Sequence, residues 1–429
     1  MKIYKYPNKE ILNKILQRPY FCDKSIEATV LKIISDVKNN GDKAVRKYTF
    51  QFDKTVIENA IIDITKVKSD ELNISALLKK SIKTAISNVA KFHESQKIIY
   101  KKIETSKGIS CWQKPVPIEK VGIYIPGGSA PLFSTVIMLG IPAKIAGCKE
   151  IVLCTPPDKS GNINPAILFT CKEIGIKKIY KAGGAQAIAA MAYGTETIPK
   201  VNKIFGPGNQ YVTIAKQLVN AHGVAIDMPA GPSEVAVIAD KSANPEFIVY
   251  DLLSQAEHGT DSQVLLISDD ENIIKKVLSL LPECKEKLPR KELAKKSLEN
   301  SSAVLVKNIS EAIAISNEYA PEHLILSVAN SEKSAEKIIN AGSVFLGNYT
   351  PESAGDYASG TNHVLPTNGY AKSFGGVNLD SFIKKITFQS ITPAGLKNIG
   401  NAIEIMAEAE GLKAHKEAVT IRLKKLKNV

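Results

Sequence analysis

Several residue types are scarce in this 429-residue chain, and each scarcity excludes something. All but four of its 56 basic residues are lysine, so the formal charge of +13 comes with few of the guanidinium groups that read bases and phosphates in bidentate fashion. Tryptophan occurs once, at Trp112, and aromatic residues are not interleaved with the lysines. A lysine-biased surface is therefore expected, with no nucleic acid as partner. The six cysteines include no C-x-x-C pair, which removes the common zinc-finger and thioredoxin-like patterns and fits reduced, mostly buried thiols in a cytoplasmic protein. H-E-x-x-H and G-x-G-x-x-G are both missing, so neither a common zinc hydrolase nor an ordinary dinucleotide fingerprint is present. No apolar run reaches the ~18 residues of a membrane span, and Met1-Lys2-Ile3-Tyr4-Lys5 does not open a signal peptide; a soluble protein that is not exported and meets no membrane is expected.

The chain has enough residues for two or three domains. Residues 1–100 are lysine-rich and read as amphipathic helices: Ala28, Val30, Leu31, Ile33, Ile34 and Val37 recur at helical spacing, Asn39-Asn40-Gly41-Asp42 stops that helix, and Leu77 to Phe92 repeats the pattern. From Val121 short apolar strands alternate with helical segments. Strands are expected at 121–125, 150–154, 178–181 and 203–205, and, after the Pro/Gly-rich stretch Met228 to Ser233, at 234–239, 263–268, 303–306, 324–328 and 343–346. Such βα alternation implies an α/β protein with two mainly parallel sheets, each covered by helices. Beyond residue 380 a strand-like Ile383–Ile391 and two polar helices, 396–409 and 412–426, form a tail too thin in large apolar residues to pack on itself, which points to a partner subunit.

Three expected strand ends carry glycine turns: Tyr124-Ile125-Pro126-Gly127-Gly128-Ser129, Gly183-Gly184-Ala185-Gln186 and Phe205-Gly206-Pro207-Gly208-Asn209-Gln210. Glycine lets backbone N–H groups approach a phosphate, so a nucleotide fits here; a simple chain reversal fits each turn equally well. Histidine is rare, with six in all, yet His258, His323, His363 and His415 each lie in a short polar motif. Gln255 and His258 are spaced to share one face at the end of a helix. With Asp356 and His415 they would supply two nitrogens and two oxygens, a mixed set that suits Zn²⁺ or a similar ion, although Gln is an uncommon ligand and ordinary hydrogen bonding explains the pair as well. Adjacent Glu322 and His323 should point in diverging directions, which makes them poor chelators but able to serve two steps of one reaction: a carboxylate to activate water and an imidazole to take a proton.

Taken in order, Tyr124–Pro131, Phe205–Asn209, Ala230–Glu234, Gln255–Gly259, Ala320–Leu324, Gly355–His363 and Glu410–His415 resemble the signatures of the histidinol dehydrogenase family; the likeness runs essentially from Val121 to Arg422. The resemblance implies a zinc-dependent NAD oxidoreductase that converts L-histidinol to L-histidine through an enzyme-held aldehyde, by two successive hydride transfers. It implies Zn²⁺ on Gln255, His258, Asp356 and His415, catalysis by Glu322 and His323, substrate contacts from Ser233, Glu410, His323 and the metal ligands, and NAD contacts from Tyr124, Gln186 and Asn209. It further implies two incomplete Rossmann-like domains and a homodimer with shared active sites, into which the C-terminal tail swaps. The expected divisions are an N-terminal arm at 1–22, a helical segment with the first, NAD-binding Rossmann-like domain at 23–230, a second such domain at 231–379, and the dimer-contact tail at 380–429. The main rival is a relative that oxidises another small alcohol on the same scaffold; a metal-dependent hydrolase using Glu322 would leave the glycine turns unexplained, and a lysine-rich RNA-binding or structural protein would lack the arginines and interleaved aromatics it needs.

Overall fold

A computed structural model describes residues 1–18, 24–127, 131–229 and 231–427. Cys22, Gly128, Ser129, Ala130 and Ala230 lie outside the described residues. By contacts the chain divides into two compact units, Met1–Gln96 with Ile118–Phe382, and Lys97–Pro117 with Ile383–Val429.

The first unit holds two six-stranded sheets. In one, Lys120–Tyr124 lies at the centre; Glu150–Thr155 and then Lys178–Lys181 add to one side, Lys203–Phe205 and Ala225–Ile226 to the other, all parallel, and Ile61–Asp63 closes the edge antiparallel. The other repeats the plan around Glu234–Ala239. Gln263–Ser268 and Ser302–Leu305 lie to one side, His323–Ser327 and Ser343–Leu346 to the other, and Lys2–Lys5 extends the edge, all parallel. Each sheet therefore has the order third, second, first, fourth, fifth, the doubly wound order without its sixth strand. The incomplete Rossmann-like reading holds, and the two series share a topology although no residue repeat is visible.

The strands form where the sequence alternates between two faces that are both buried. Val121, Ile123 and Ile125 point to one core layer while Tyr124 faces the other. In the second sheet Val235, Val237 and Ala239 face one layer and Ala236 and Ile238 the other. Helix Phe133–Ala146 is enclosed continuously from Ser134 to Ala143, which explains its lack of a polar face. Helix Lys24–Asp53 breaks at Gly41 (φ 50°), where the Asn-Asn-Gly-Asp stop was expected, and resumes on the far side.

The sequence reading missed three short strands of these sheets, Lys2–Lys5 and Ile61–Asp63 in a stretch expected to be helical and Ala225–Ile226 at an edge, and in the second unit it missed two more. Ile103–Ser106, Ile109–Pro117 and Ile383–Ile391 form an antiparallel sheet in which Trp112 stacks on Phe388 at 5.5 Å. Helices Pro393–Ala409 and Lys413–Lys427 pair through Gly400, against which Leu423 rests. The tail strand thus finds its partner within its own chain. Among the described residues no helix is long and apolar enough to cross a membrane. Cys154 and Cys171 are buried as expected, but Cys111, Cys148 and Cys284 are only partly so.

Gly206 ends the strand Lys203–Phe205 at φ 129°, and a Cβ there would run into the main-chain carbonyl oxygen of Tyr124. Gly206→Ala should cost at least about 1–3 kcal/mol, the range for a strained backbone position, read as a lower midpoint of chemical unfolding.

Candidate active site

Two sets of groups lie at strand ends of the first unit. In the first set, the Tyr124 hydroxyl accepts the N–H of Gly184 at 3.0 Å, the opening residue of helix Gly184–Tyr193. Gln186, in the first turn of that helix, is buried, and neither its Oε1 nor its Nε2 has a hydrogen-bond partner. Leaving both ends of a buried carboxamide unmet costs about 1–3 kcal/mol apiece, so such a side chain fits a position that a ligand completes. Asp53 also has an unpartnered, buried Oδ2, and burial pushes its carboxyl up to about 6. Asn209 caps helix Gln210–Ala221, its Oδ1 accepting from Val212 N–H at 3.2 Å.

The turn before Asn209 is tied down by a buried ion pair that the sequence reading did not identify. Asp227 accepts the N–H of Gly206 at 2.8 Å, Lys216 donates to the Gly206 carbonyl at 2.9 Å, and the two side chains pair with each other. This fixes the peptides on both sides of Gly206. Helical spacing carries a long-range pairing of this kind no better than a surface lysine, so nothing local marked it.

The second set gathers around His323, which opens its strand directly beside Val235. Its Nδ1 lies 3.7 Å from a Glu322 carboxylate oxygen and 3.7 Å from one of Glu352, and 3.3 Å from the Glu234 carbonyl. Its Nε2 faces Asp356 at 3.6 Å, within ion-pair range but beyond a hydrogen bond, and has no other partner. Burial alone would lower the imidazole, but Glu352, Glu322 and Asp356 raise it to about 10. Burial pushes Glu322 up to about 8 against the opposing pull of His323. The expected divergence of the pair does not occur: Glu322 turns back so that its Oε2 accepts the Glu234 N–H at 2.9 Å, which keeps carboxylate and imidazole together.

Glu352 and Asp356 sit four apart on helix Glu352–Tyr357 and so share a face. The ligand atoms of His258, Glu352 and Asp356 all lie within 4.8 Å of one another. Glu352 is fully buried, accepts from the Ser254 hydroxyl at 3.3 Å, and is raised to about 7 chiefly by burial. His258 follows the end of helix Pro245–Ala256 through a tight turn onto the Gln255 carbonyl; the residue is exposed, yet the protein around its imidazole lowers its basicity. Gln255, in the last turn of that helix, is wholly buried with both amide atoms unpartnered. An orphaned carboxamide three residues before His258, with that imidazole close to two carboxylates, fits a divalent cation.

Ser233 immediately precedes the strand that Glu234 opens, and its carbonyl accepts from Gln263. His363 is committed elsewhere, with Nδ1 on the Asp356 carbonyl at 2.9 Å and Nε2 on the Thr135 hydroxyl at 3.1 Å. Glu410 and His415 belong to the second unit, exposed at the end of one tail helix and in the first turn of the next. The expectation missed Glu352; its i,i+4 spacing to Asp356 was the available signal.

Two doubly wound sheets with unmet polar groups at a glycine-turn end, and a carboxylate–imidazole cluster in the second sheet, define an α/β protein with two candidate ligand sites. The family model for histidinol dehydrogenase matches residues 16–423. A histidinol dehydrogenase of Bacteroides thetaiotaomicron is 60% identical over 427 residues, covering 100% of both chains. A chloroplastic one of Arabidopsis thaliana is 52% identical, covering 96% of this chain and 89% of that protein. The crystal structure of histidinol dehydrogenase from Elizabethkingia anophelis superposes with a TM-score of 0.96 at 57% identity, covering 100% and 99% of the two chains. The chain belongs to the histidinol dehydrogenase family, an enzyme family of NAD-dependent oxidoreductases acting at the last step of histidine biosynthesis.

Glu352→Gln removes one charge from the His258–Glu352–Asp356 cluster at constant shape. It should weaken retention of a divalent ion by at least about 10-fold, the lower bound for disturbing a metal site's supporting groups, measured as metal content by mass spectrometry after dialysis.

Proposed function

We propose that the protein oxidises L-histidinol to L-histidine through L-histidinaldehyde in two hydride transfers, with the second set of residues as its reaction centre. The observation that carries this reading is His323, one imidazole packed among three carboxylates beside a metal-competent cluster in a member of this family. Nε2 of His323, free of hydrogen-bond partners, takes the proton of the substrate hydroxyl, and of the aldehyde hydrate in the second round. Glu322 draws the proton from the water that hydrates the aldehyde, a step needed only for the second oxidation. Gln255, His258, Asp356 and His415 hold Zn²⁺, with Glu352 beside them; Ser233 and Glu410 contact substrate. Tyr124, Gln186 and Asn209 hold NAD, and the unmet amide of Gln186 supports that assignment. When bound, Zn²⁺ anchors a substrate nitrogen and adds positive charge that favours ionised carboxylates and a neutral His323, while NAD supplies the hydride acceptor.

The same reading assigns the chain to a cytoplasmic homodimer, the location supported by free thiols at Cys111, Cys148, Cys154, Cys171 and Cys284. His415 and Glu410 would come from the partner's tail. Exposed Ile386, Phe388, Ile391, Ile405, Met406 and Ile421 support a covered face on the second unit. The division into an N-terminal arm at 1–22, a helical segment with the NAD-binding domain at 23–230, a second Rossmann-like domain at 231–379 and a dimer-contact tail at 380–429 is part of this proposal.

Incubation with histidinol and NAD should produce NADH in a 2:1 ratio to histidine, a chelator should abolish the signal, and added Zn²⁺ should restore it. Full activity after exhaustive metal removal, or turnover of other small alcohols in preference to histidinol, would sink the assignment.

The shared-site arrangement is checked by refolding inactive His258→Asn and His415→Asn chains together. A statistical mixture contains about half mixed dimers, each with one intact site of two, so about a quarter of wild-type activity should return. No recovery would mean that each tail completes a site on its own chain.

A further inference from the structure

Behind the Glu322–His323 pair lies a second, fully engaged ion pair that the mechanism above does not use. Arg18 donates from Nε to Glu234 Oε1 at 2.5 Å and from Nη2 to Oε2 at 2.8 Å, with the side chains 14% and 3% exposed. The same Nη2 reaches the Tyr319 carbonyl at 2.6 Å and the Ala320 carbonyl at 3.3 Å, and the guanidinium lies 4.0 Å over the Tyr319 ring. Glu234 Oε1 also accepts the Asn368 N–H at 2.9 Å.

These contacts join the two segments whose separation places Glu322. One is Glu234, whose N–H makes the 2.9 Å bond to the Glu322 carboxylate. The other is Tyr319–Ala320, which leads into Pro321 and Glu322 through a left-handed residue, Ala320 at φ 52°. A planar fork can grip a carboxylate along one edge and two carbonyls at its tip; an ammonium is a point charge and cannot hold both in one geometry. His323 depends less on this clamp, because Glu352 and Asp356 also face its ring.

We propose that Arg18 is a positioning residue for the Glu322 carboxylate, acting through Glu234 and the Tyr319–Ala320 carbonyls. The inference rests on Glu322 as the water-activating group, and so on the reading given under Proposed function.

The test uses the full-length zinc-loaded enzyme, with wild type, Arg18→Lys, Glu322→Gln and the double variant compared in two assays. One is histidinal oxidation with NAD, the other histidinal reduction with NADH, which needs no water activation. Arg18→Lys should lower kcat for oxidation by about 10- to 100-fold, the scale of a misplacement near 1 Å, with less than about a 3-fold change in reduction or in KM for histidinal. In the Glu322→Gln background the same substitution should cost nothing further, since groups acting through one another are not additive. Equal loss in both directions, or full multiplication of the two losses, would overturn the proposal and leave Arg18 a structural residue. If Glu322→Gln itself spares oxidation, the role of Glu322 falls and takes the proposal with it. Should Arg18→Lys fail to fold, the neutral pair Arg18→Met with Glu234→Gln leaves no lone buried charge and must show the same asymmetry between oxidation and reduction.

Discussion

The constraint on which the site depends is the concentration of charge in a dry interior. Glu322, Glu352 and Asp356 converge on one imidazole, and Glu234 with Arg18 lies directly behind them. Each isolated charge in such a place costs several kcal/mol, and removing one member of a buried pair costs about 3–5 kcal/mol. The arrangement is stable only because backbone donors, counter-charges and the fixed spacing of strand starts satisfy the carboxylates together. His323 sits among them because strand His323–Ser327 pairs with Glu234–Ala239 in parallel register. A slip of one residue would turn the imidazole to the opposite face of the sheet.

Both sheets reach their sites from the same topology but use opposite ends of their strands. In the first, Tyr124 ends a strand and Gly184 and Gly206 follow strands, at the carboxyl ends where doubly wound sheets usually take ligands. In the second, Glu234 and His323 begin strands, and His258 follows a helix. Glycine follows the apolar run at the first sheet's candidate site, and Glu or His precedes it at the second's.

Most strands of both sheets were legible because alternating apolar residues bounded by glycine and proline leave few alternatives, as at Glu234–Ala239 and Gln263–Ser268, where the expected and observed limits coincide. Lys2–Lys5, Ile61–Asp63 and Ala225–Ile226 were not, because so short a run shows no period. Ile103–Ser106 and Ile109–Pro117 escaped notice because Lys114, Pro115 and Pro117 interrupt the pattern and their partner, Ile383–Ile391, lies far along the chain. The candidate site was legible where a scarce histidine marks a motif: His258, His323 with Glu322 beside it, and Asp356 in the segment that leads to His363. It was opaque where the chemistry comes from ordinary residues brought together by folding. Glu352 looks like any surface glutamate, and Lys216, Asp227 and Glu234 acquire meaning only from partners remote in sequence.

The scarcity of arginine takes on a different sense in that light. At the surface the chain uses lysine, in pairs such as Lys149–Glu119 and Lys287–Glu283, where a loosely held ammonium contributes little and geometry matters less. Within the interior, Lys216 suffices where one carboxylate and one carbonyl must be met from a single direction. At Glu234 the demand is planar and several-sided, a carboxylate edge together with two main-chain carbonyls, and there the chain places one of its few arginines. A composition that argued against nucleic-acid recognition thus singles out, by the same reasoning about guanidinium geometry, a buried fork beside the Glu322–His323 pair.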